Sequence, residues 1–183
     1  MGRVLYQALP RALSDGDWAM YQSLNGTRFA LYSAWEFVHN SQTATPPLDN
    51  LSLFHTVFGK TVPDISLNAV ANLGYAEGRF TAPAAVAQTI MAQSRVIGLK
   101  ENSNGKTGIV WVRTEGFANG EPVLDYVRWV MVRKGNPEAP APTPVIPDLA
   151  THVAASELFV PDGIQWDSYN FTAAGEPHRW GDY

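Results

Sequence analysis

The spacing of apolar residues changes from helical to strand-like from about residue 68 onward. This change limits the possible folds more than any other feature of the sequence. Four long segments rich in Val, Ile, Tyr and Trp span residues 68–81, 88–100, 107–118 and 122–134. Turn-forming residues separate them, and Asn119-Gly120 predicts a tight hairpin between the last two. Consecutive long strands joined by short turns predict an antiparallel sheet.

One apolar helix precedes this sheet. Asp49 or Asn50 can cap its N-terminus, and we expect Pro63 to end it. Its apolar residues have the spacing of a helix face and are Leu51, Leu53, Phe54, Val57 and Phe58. We expect this helix to be buried on most sides. An isolated buried helix followed by long antiparallel strands indicates an α+β fold, with a curved sheet wrapped around the helix.

The N-terminal third predicts shorter elements. Residues 3–9 favour a short strand, and Ser14 with Asp17 forms a capping-box pattern at the start of a helix. Gly26 is a plausible end for that helix. A second helical stretch is predicted from Ser33 to about residue 39.

The C-terminal third changes in composition. In residues 122–134 both alternating sets of side chains are largely apolar, so one face can pack on the helix and the other predicts a second sheet in a partner domain. Closely spaced prolines from Pro137 to Pro147 predict an extended linker, followed by an aromatic tail. We therefore divide the chain into a domain at 1–134 and a linker with tail at 135–183.

Composition narrows the function. The net charge of −4 and the lack of a basic run argue against a nucleic-acid partner. The absence of Cys excludes disulfides, thiolate nucleophiles and zinc–thiolate sites. No apolar run is long enough for a signal peptide or a membrane span, so we expect a cytoplasmic protein. The four His residues lack metal-ligand spacing, and we predict no metal site.

Single residues give weaker signals. His55 lies in the helix beside Phe54, where a structural histidine is favoured over a catalytic one. Asp64 follows Pro63 and can be a general base, although a turn residue is the favoured interpretation. Arg79 and Arg95 lie in predicted strands, where they can meet a phosphate or extend their charge to solvent at a sheet edge.

Several stretches carry a family resemblance. They are residues 14–38, the Gly78–Pro83 strand end and the hairpin at 107–133. Together they resemble the MaoC-like enoyl-CoA hydratase/dehydratase family, which implies a hot-dog fold. Residues 54–75 with 124–129 look closer still to the N-terminal half of hydratases of the mesaconyl-CoA type.

The resemblance breaks at the residues that carry catalysis. The family signature is Gly-Asp-x-Asn-Pro-x-His, whose Asp and His supply the acid–base pair. The matching stretch, residues 26–32, has Thr27 in place of the Asp and Tyr32 in place of the His. A Thr hydroxyl is no base near neutrality, and Tyr has an ordinary pKa of about 10. In the family a Gly-Asp-Thr sequence follows the strand end that matches Gly78–Pro83. In this chain the corresponding residues are Ala87-Gln88-Thr89.

Double hot-dog hydratases explain this break, because in them one half supplies catalysis and the other shapes the pocket. The resemblance implies that this chain is the non-catalytic half of a lyase that hydrates a branched short-chain enoyl-CoA, such as mesaconyl-CoA. We expect the chain to stop before its catalytic half. The implied partners are an acyl-CoA substrate and a second hot-dog half or another copy of the chain.

The resemblance also implies a substrate channel. By position, its lining residues are Tyr32, His55, Phe58, Tyr75 and Arg79. No metal or organic cofactor is expected, because coenzyme A arrives as part of the substrate.

Two other functions remain open. A hot-dog acyl-CoA thioesterase needs a carboxylate aimed at the thioester, for which Asp64 is the candidate. A structural hot-dog binds no acyl-CoA. The sequence leaves the acyl group and the physiological direction of the reaction open.

Overall fold

The computed structural model describes residues 4–26, 29–33 and 47–157. Its strands are β1 (Val4–Ala12), β2 (Ala69–Phe80), β3 (Thr89–Glu101), β4 (Thr107–Ala118) and β5 (Glu121–Arg133). Its α-helices are α1 (Asp15–Asn25), α2 (Ala30–Ser33) and α3 (Asn50–Thr61). A π-helical turn (Val62–Ser66) continues α3, and a 3₁₀ turn lies at Ala155–Glu157.

The five strands form one antiparallel sheet in the order β1-β3-β4-β5-β2. The four long strands agree with the predicted segments to within two residues at each end. Asn119 and Gly120 have φ angles of 50° and 90°, which a two-residue hairpin turn between twisted strands requires. The predicted hairpin is confirmed.

Helix α3 packs against one face of the sheet, which we call the inner face. Leu53 and Val57 of the helix share a buried core with Leu124 and Tyr126 of β5. The approach is close at Gly116 of β4, where a Cβ atom would lie 2.7 Å from Val57 Cγ2. The helix and the sheet therefore meet where β4 has no side chain.

One stripe of α3 is open to solvent. Leu51 is 58% exposed, and His55 and Gly59, one and two turns further on, are also exposed. The other residues of α3 are buried or half-buried, so the expectation of a helix buried on most sides is confirmed.

The ends of α3 follow the sequence closely. Asp49 is the N-cap and accepts a hydrogen bond from the Leu51 N–H at 2.7 Å. The α-helical segment ends at Thr61, two residues before Pro63. The chain does not leave the helical path there, since Pro63 lies near the start of the π-helical turn, where its missing N–H is not needed.

At the N-terminus, the capping box of α1 is confirmed. The Asp17 N–H donates to Ser14 Oγ at 3.2 Å, and the Ser14 N–H donates to Asp17 Oδ2 at 2.9 Å. Strand β1 extends beyond the predicted end, because Pro10 falls in an irregularity of its pairing with β3. The described helix near the second predicted stretch is Ala30–Ser33, and residues 34–46 lie outside the described residues.

The proline-rich segment docks on the sheet. Val145 exchanges two backbone hydrogen bonds with Leu99 of β3, both of 2.8 Å. A Cβ atom at Gly98 would lie 2.6 Å from Pro147 Cδ, so glycine allows the segment to lie directly on the strand.

This docking places the segment against the face opposite α3, the outer face. Trp111 of β4 lies near Gly98 and is buried, and Val127 of β5 is fully buried. Further along, the Ala150 N–H donates to Glu77 Oε1 of β2 at 3.0 Å. The chain's own segment therefore lies on part of the face where we expected a second sheet.

The aromatic tail from residue 158 onward lies outside the described residues. Within the described ranges, no helix has the length and apolar character needed to cross a bilayer.

The close contact at Gly116 predicts a pair of opposite stability changes. Gly116→Ala should lower the free energy of unfolding by about 1–3 kcal/mol, because the new methyl group overlaps Val57. Gly59→Ala should raise it by about 0.5–1 kcal/mol, because that helical position has open space around it. Urea unfolding of both variants tests this, and equal effects would contradict the packing described here.

Candidate functional site

Aromatic side chains gather between α3 and the edge strand β2. Phe54 and Phe58, one turn apart, stack with ring centroids 5.8 Å apart. Tyr75 of β2 lies 5.8 Å from Phe54, and Tyr126 of β5 lies 5.2 Å from it. We call these four residues the aromatic group. Tyr126 is buried and Tyr75 is 46% exposed, so the group opens to solvent at the sheet edge and offers an apolar binding surface.

A buried guanidinium lies beside the aromatic group. Arg128 of β5 is 4.5 Å from the Phe58 ring centroid and donates to Thr61 Oγ1 at 2.7 Å and Ser66 Oγ at 3.2 Å. Burial lowers the pKa of Arg128. Among the described residues no carboxylate lies within ion-pair distance of it. The aromatic ring and two hydroxyl groups therefore stabilise this charge.

The N-terminus of α3 carries a second group. Tyr32 is half-buried close to the Asp49 N-cap. Burial raises the pKa of Tyr32, the Asp49 carboxylate raises it further, and a hydrogen bond with the Asn50 backbone opposes them. This phenol therefore stays protonated near neutrality and can donate a hydrogen bond but cannot serve as a base. Thr27 lies outside the described residues.

His55 lies at the rim of a groove of about 400 Å³ between α1 and α3, which we call the α1–α3 groove. Its Nδ1 is 3.2 Å from Tyr21 Oη, and its ring centroid is 5.8 Å from that of Phe54. His55 is exposed, and it lies between the groove that it lines and the aromatic group that it contacts through Phe54. The groove is lined by Arg11, Leu13, Asp17, Tyr21, Ser52, His55, Thr56, Gly59 and Lys60.

Arg79 is not part of either group. Tyr75 pairs with Arg128 on the inner face, whereas Arg79 pairs with Asp125 on the outer face and lies 3.5 Å from its carboxylate. A register shift between Ala76 and Arg79 separates them, with Glu77 at a φ of 54°. This β-bulge turns Arg79 to the opposite face, so it does not join Tyr75 as the sequence predicted.

Other candidates lie apart. Asp64 is exposed in the turn beyond the C-terminal end of α3, at the far end of the helix from Tyr32. Arg95 is exposed in β3, next to β1. In the described ranges no three His, Asp or Glu side chains form a possible metal site. His39 and His178 lie outside these ranges.

Sequence reasoning found part of the site. It named Phe58, Tyr75 and His55, which the structure brings to neighbouring positions around Phe54. It treated Phe54 as an ordinary core residue, although the i, i+4 spacing with Phe58 was a usable signal. It also missed Tyr126 and Arg128, whose alternation along one strand places both on the inner face.

Comparison with known proteins gives two relatives that match along the whole chain. A mesaconyl-CoA hydratase from Cereibacter sphaeroides is 56% identical over 100% of this chain and 54% of its own length. A β-methylmalyl-CoA dehydratase from Chloroflexus aurantiacus is 49% identical over 100% of this chain and 52% of its own length. The chain spans about half the length of these curated relatives. No protein-family model matches it.

Two similar solved structures are also about twice the length that this chain matches. A protein from Chloroflexus aurantiacus assigned as a MaoC-domain dehydratase is 48% identical, with a TM-score of 0.90 over 100% of this chain and 52% of that chain. A Mycobacterium tuberculosis protein with a double hot-dog fold is 25% identical, with a TM-score of 0.66 over 96% and 50%. The hot-dog fold expected for this chain is confirmed.

The buried phenol of Tyr126 predicts a pH dependence of stability. Burial raises the pKa of Tyr126 to about 12, against an ordinary value of about 10 in the unfolded chain. Between about pH 10 and 12 the unfolded chain loses this proton first, so stability falls as pH rises. Relative to Tyr126→Phe, the wild-type chain should lose about 2–3 kcal/mol across this window. Urea unfolding of the two proteins at about pH 10 and about pH 12 measures this difference. Equal losses of unfolding free energy in wild type and Tyr126→Phe would contradict a raised pKa of Tyr126.

Proposed function

We propose that this chain, similar along its whole length to one half of the MaoC-like hydratases, is the non-catalytic half of an acyl-CoA hydro-lyase. The reaction is the reversible hydration of a branched short-chain enoyl-CoA, with mesaconyl-CoA as substrate and β-methylmalyl-CoA as product. The full-length match to half of two proteins named for this chemistry carries the proposal.

The chemistry defines what this half lacks. Addition of water to an enoyl thioester needs a base for the water, an acid for the α-carbon and donors for the thioester oxygen. Tyr32 occupies the family's His position and keeps its proton, since burial raises its pKa. Thr27 occupies the Asp position and has only a hydroxyl group. The acid–base pair therefore comes from the second half.

The structure supports a binding role for this half. The aromatic group offers a partly open apolar surface for an acyl chain or for the pantetheine arm of coenzyme A. Tyr32 and the start of α3 can donate hydrogen bonds at one end of this surface. Phe58, Tyr75 and His55 are the proposed contacts, with Tyr32 at the helix end. Arg79 faces away and is left out of the binding surface.

The second half has a clear place to dock. On its free side β2 has no strand partner among the described residues, and it exposes Val70 (48%) and Leu73 (40%) beside Tyr75. An exposed edge strand with apolar side chains readily pairs with another strand. A second hot-dog half, or a second copy of this chain, therefore fits against β2 and encloses the aromatic group.

The proposed reaction requires no metal or organic cofactor, because the thioester of coenzyme A is itself the activating group. We place the enzyme in the cytoplasm, where an acyl-CoA substrate is available.

An assay of mesaconyl-CoA hydration tests the division of labour. The loss of enoyl-thioester absorbance is followed with the 183-residue chain alone and with the chain joined to the second half of the Cereibacter sphaeroides relative. We expect turnover in the joined protein alone, because the catalytic pair comes from the added half. In that protein Tyr32→Phe and Thr27→Ala should change kcat by less than about threefold.

Full activity of the short chain by itself would overturn the proposal and direct the search for an acid–base pair to Tyr32, His55 and Asp64. Release of free coenzyme A would instead favour a thioesterase. A joined protein that folds but neither binds nor converts acyl-CoA would indicate a structural domain.

The binding role predicts a separation of kinetic effects. In the joined protein, Phe58→Ala and Tyr75→Ala should each raise KM by about tenfold while kcat changes little, because truncation removes apolar contact with the substrate. Met91→Ala is a matched control, since Met91 is an exposed apolar side chain of β3 away from the aromatic group. A fall in kcat with unchanged KM would contradict a pure binding role.

A further inference from the structure

The α1–α3 groove has two cationic side chains at one end. Lys60 comes from the last turn of α3 and Arg11 from the end of β1. Neither residue is used by the proposed hydration chemistry, and both line the same cavity of about 400 Å³. This volume is in the range of small-molecule pockets.

Lys60 is unusual because little of this lysine is exposed, although its ammonium group lines the open groove. The residue is 8% exposed, and its Nζ donates a hydrogen bond to the Leu9 carbonyl at 2.7 Å. Among the described residues no carboxylate lies within ion-pair distance of this ammonium group. An ammonium group that loses part of its hydration without an anionic partner is destabilising unless a ligand or further hydrogen bonds compensate for that loss.

Asp17, the acidic side chain in the groove lining, already has hydrogen-bond and ion-pair partners. Asp17 forms an ion pair with Arg11 and also accepts hydrogen bonds from the Ser14 N–H at 2.9 Å and the Ser14 hydroxyl at 2.7 Å. The end of the groove therefore carries two positive charges against one negative charge. Burial lowers the pKa of Lys60, and the positive charge of Arg11, which lines the same groove, lowers it further.

We propose that this end of the α1–α3 groove binds the phosphate group of a small molecule. A phosphate oxygen can accept from the two remaining protons of Lys60 Nζ while another reaches the guanidinium of Arg11. A phosphate fits better than a single carboxylate, because it carries more charge and more acceptor oxygens for donors that come from two directions.

Two sources can supply such a group: the phosphates of coenzyme A, or a free phosphate compound. The first source rests on the proposed function, whereas the site itself does not. Its position supports the first source, since His55 at the rim of the groove borders the aromatic group proposed to hold the acyl end.

Titration calorimetry with inorganic phosphate tests the site directly, at constant ionic strength and with the 183-residue chain. Lys60→Met should weaken phosphate binding by about tenfold or more, because it removes the central charged donor. Arg11→Met, at an exposed position that tolerates change, should weaken it by about threefold to tenfold. Lys106→Met, at an exposed lysine in the turn between β3 and β4, is the matched control and should leave affinity within about twofold.

Circular dichroism confirms folding of each variant, and Arg11→Met keeps the test decisive if Lys60→Met unfolds. Absence of phosphate binding, or equal affinity in wild type, Lys60→Met and Arg11→Met, would overturn the site. The same titration with coenzyme A identifies the source. A loss in Lys60→Met for phosphate and coenzyme A alike supports the coenzyme A source, and a loss for phosphate alone indicates a free phosphate compound.

The result is independent of the hydration assay. A joined protein that lacks turnover would overturn the proposed function while phosphate binding through Lys60 stands. Turnover with phosphate affinity unchanged by Lys60→Met would overturn the site while the proposed function stands.

Discussion

The contact between α3 and β4 at Gly116 fixes the orientation of the functional side chains that α3 carries. Because Val57 fills the space that a Cβ atom at Gly116 would occupy, the helix can neither rotate nor lift from the sheet without opening the core. With Val57 held inward, the helical period directs Phe54 and Phe58 toward β2. The same period directs Thr56 and Lys60 toward α1 and β1. A single helix therefore presents an aromatic flank and a cationic flank.

The two flanks of α3 differ in how they surround a cationic side chain. On the aromatic side, the guanidinium of Arg128 lies in the core against the Phe58 ring and donates to two hydroxyl groups, while its buried Nε has no hydrogen-bond partner among the described residues. On the groove side, Lys60 has one backbone carbonyl and an open cavity. The first charge is 1% exposed and enclosed where α3 packs on β5. The second is left with capacity for an added anion, which is why the two buried cations suggest different roles.

Sequence patterns predicted the elements better than the faces on which their residues lie. Strand limits, the Ser14 and Asp49 caps and the Asn119-Gly120 turn follow from local chemistry, and the structure reproduces them. The face of Arg79 does not follow, because strict alternation puts it on the side of Tyr75 and one bulge at Glu77 reverses it. Docking of the proline-rich segment was equally hidden, since composition predicts an extended chain but not the surface it meets.

The electrostatic character of the described residues fits the proposed role of holding substrate. Burial keeps the phenols of Tyr32 and Tyr126 protonated by raising their pKa values, and the cations Arg128 and Lys60 lie beside the proposed binding surfaces. Such groups donate hydrogen bonds, the two cations attract anions, and neither phenol can remove a proton from water near neutrality. An acyl-CoA thioester with phosphates at one end matches that set of donors. In the proposed enzyme the base comes from a second half, and the exposed stripe of α3 and the edge of β2 that has no strand partner among the described residues leave room for it.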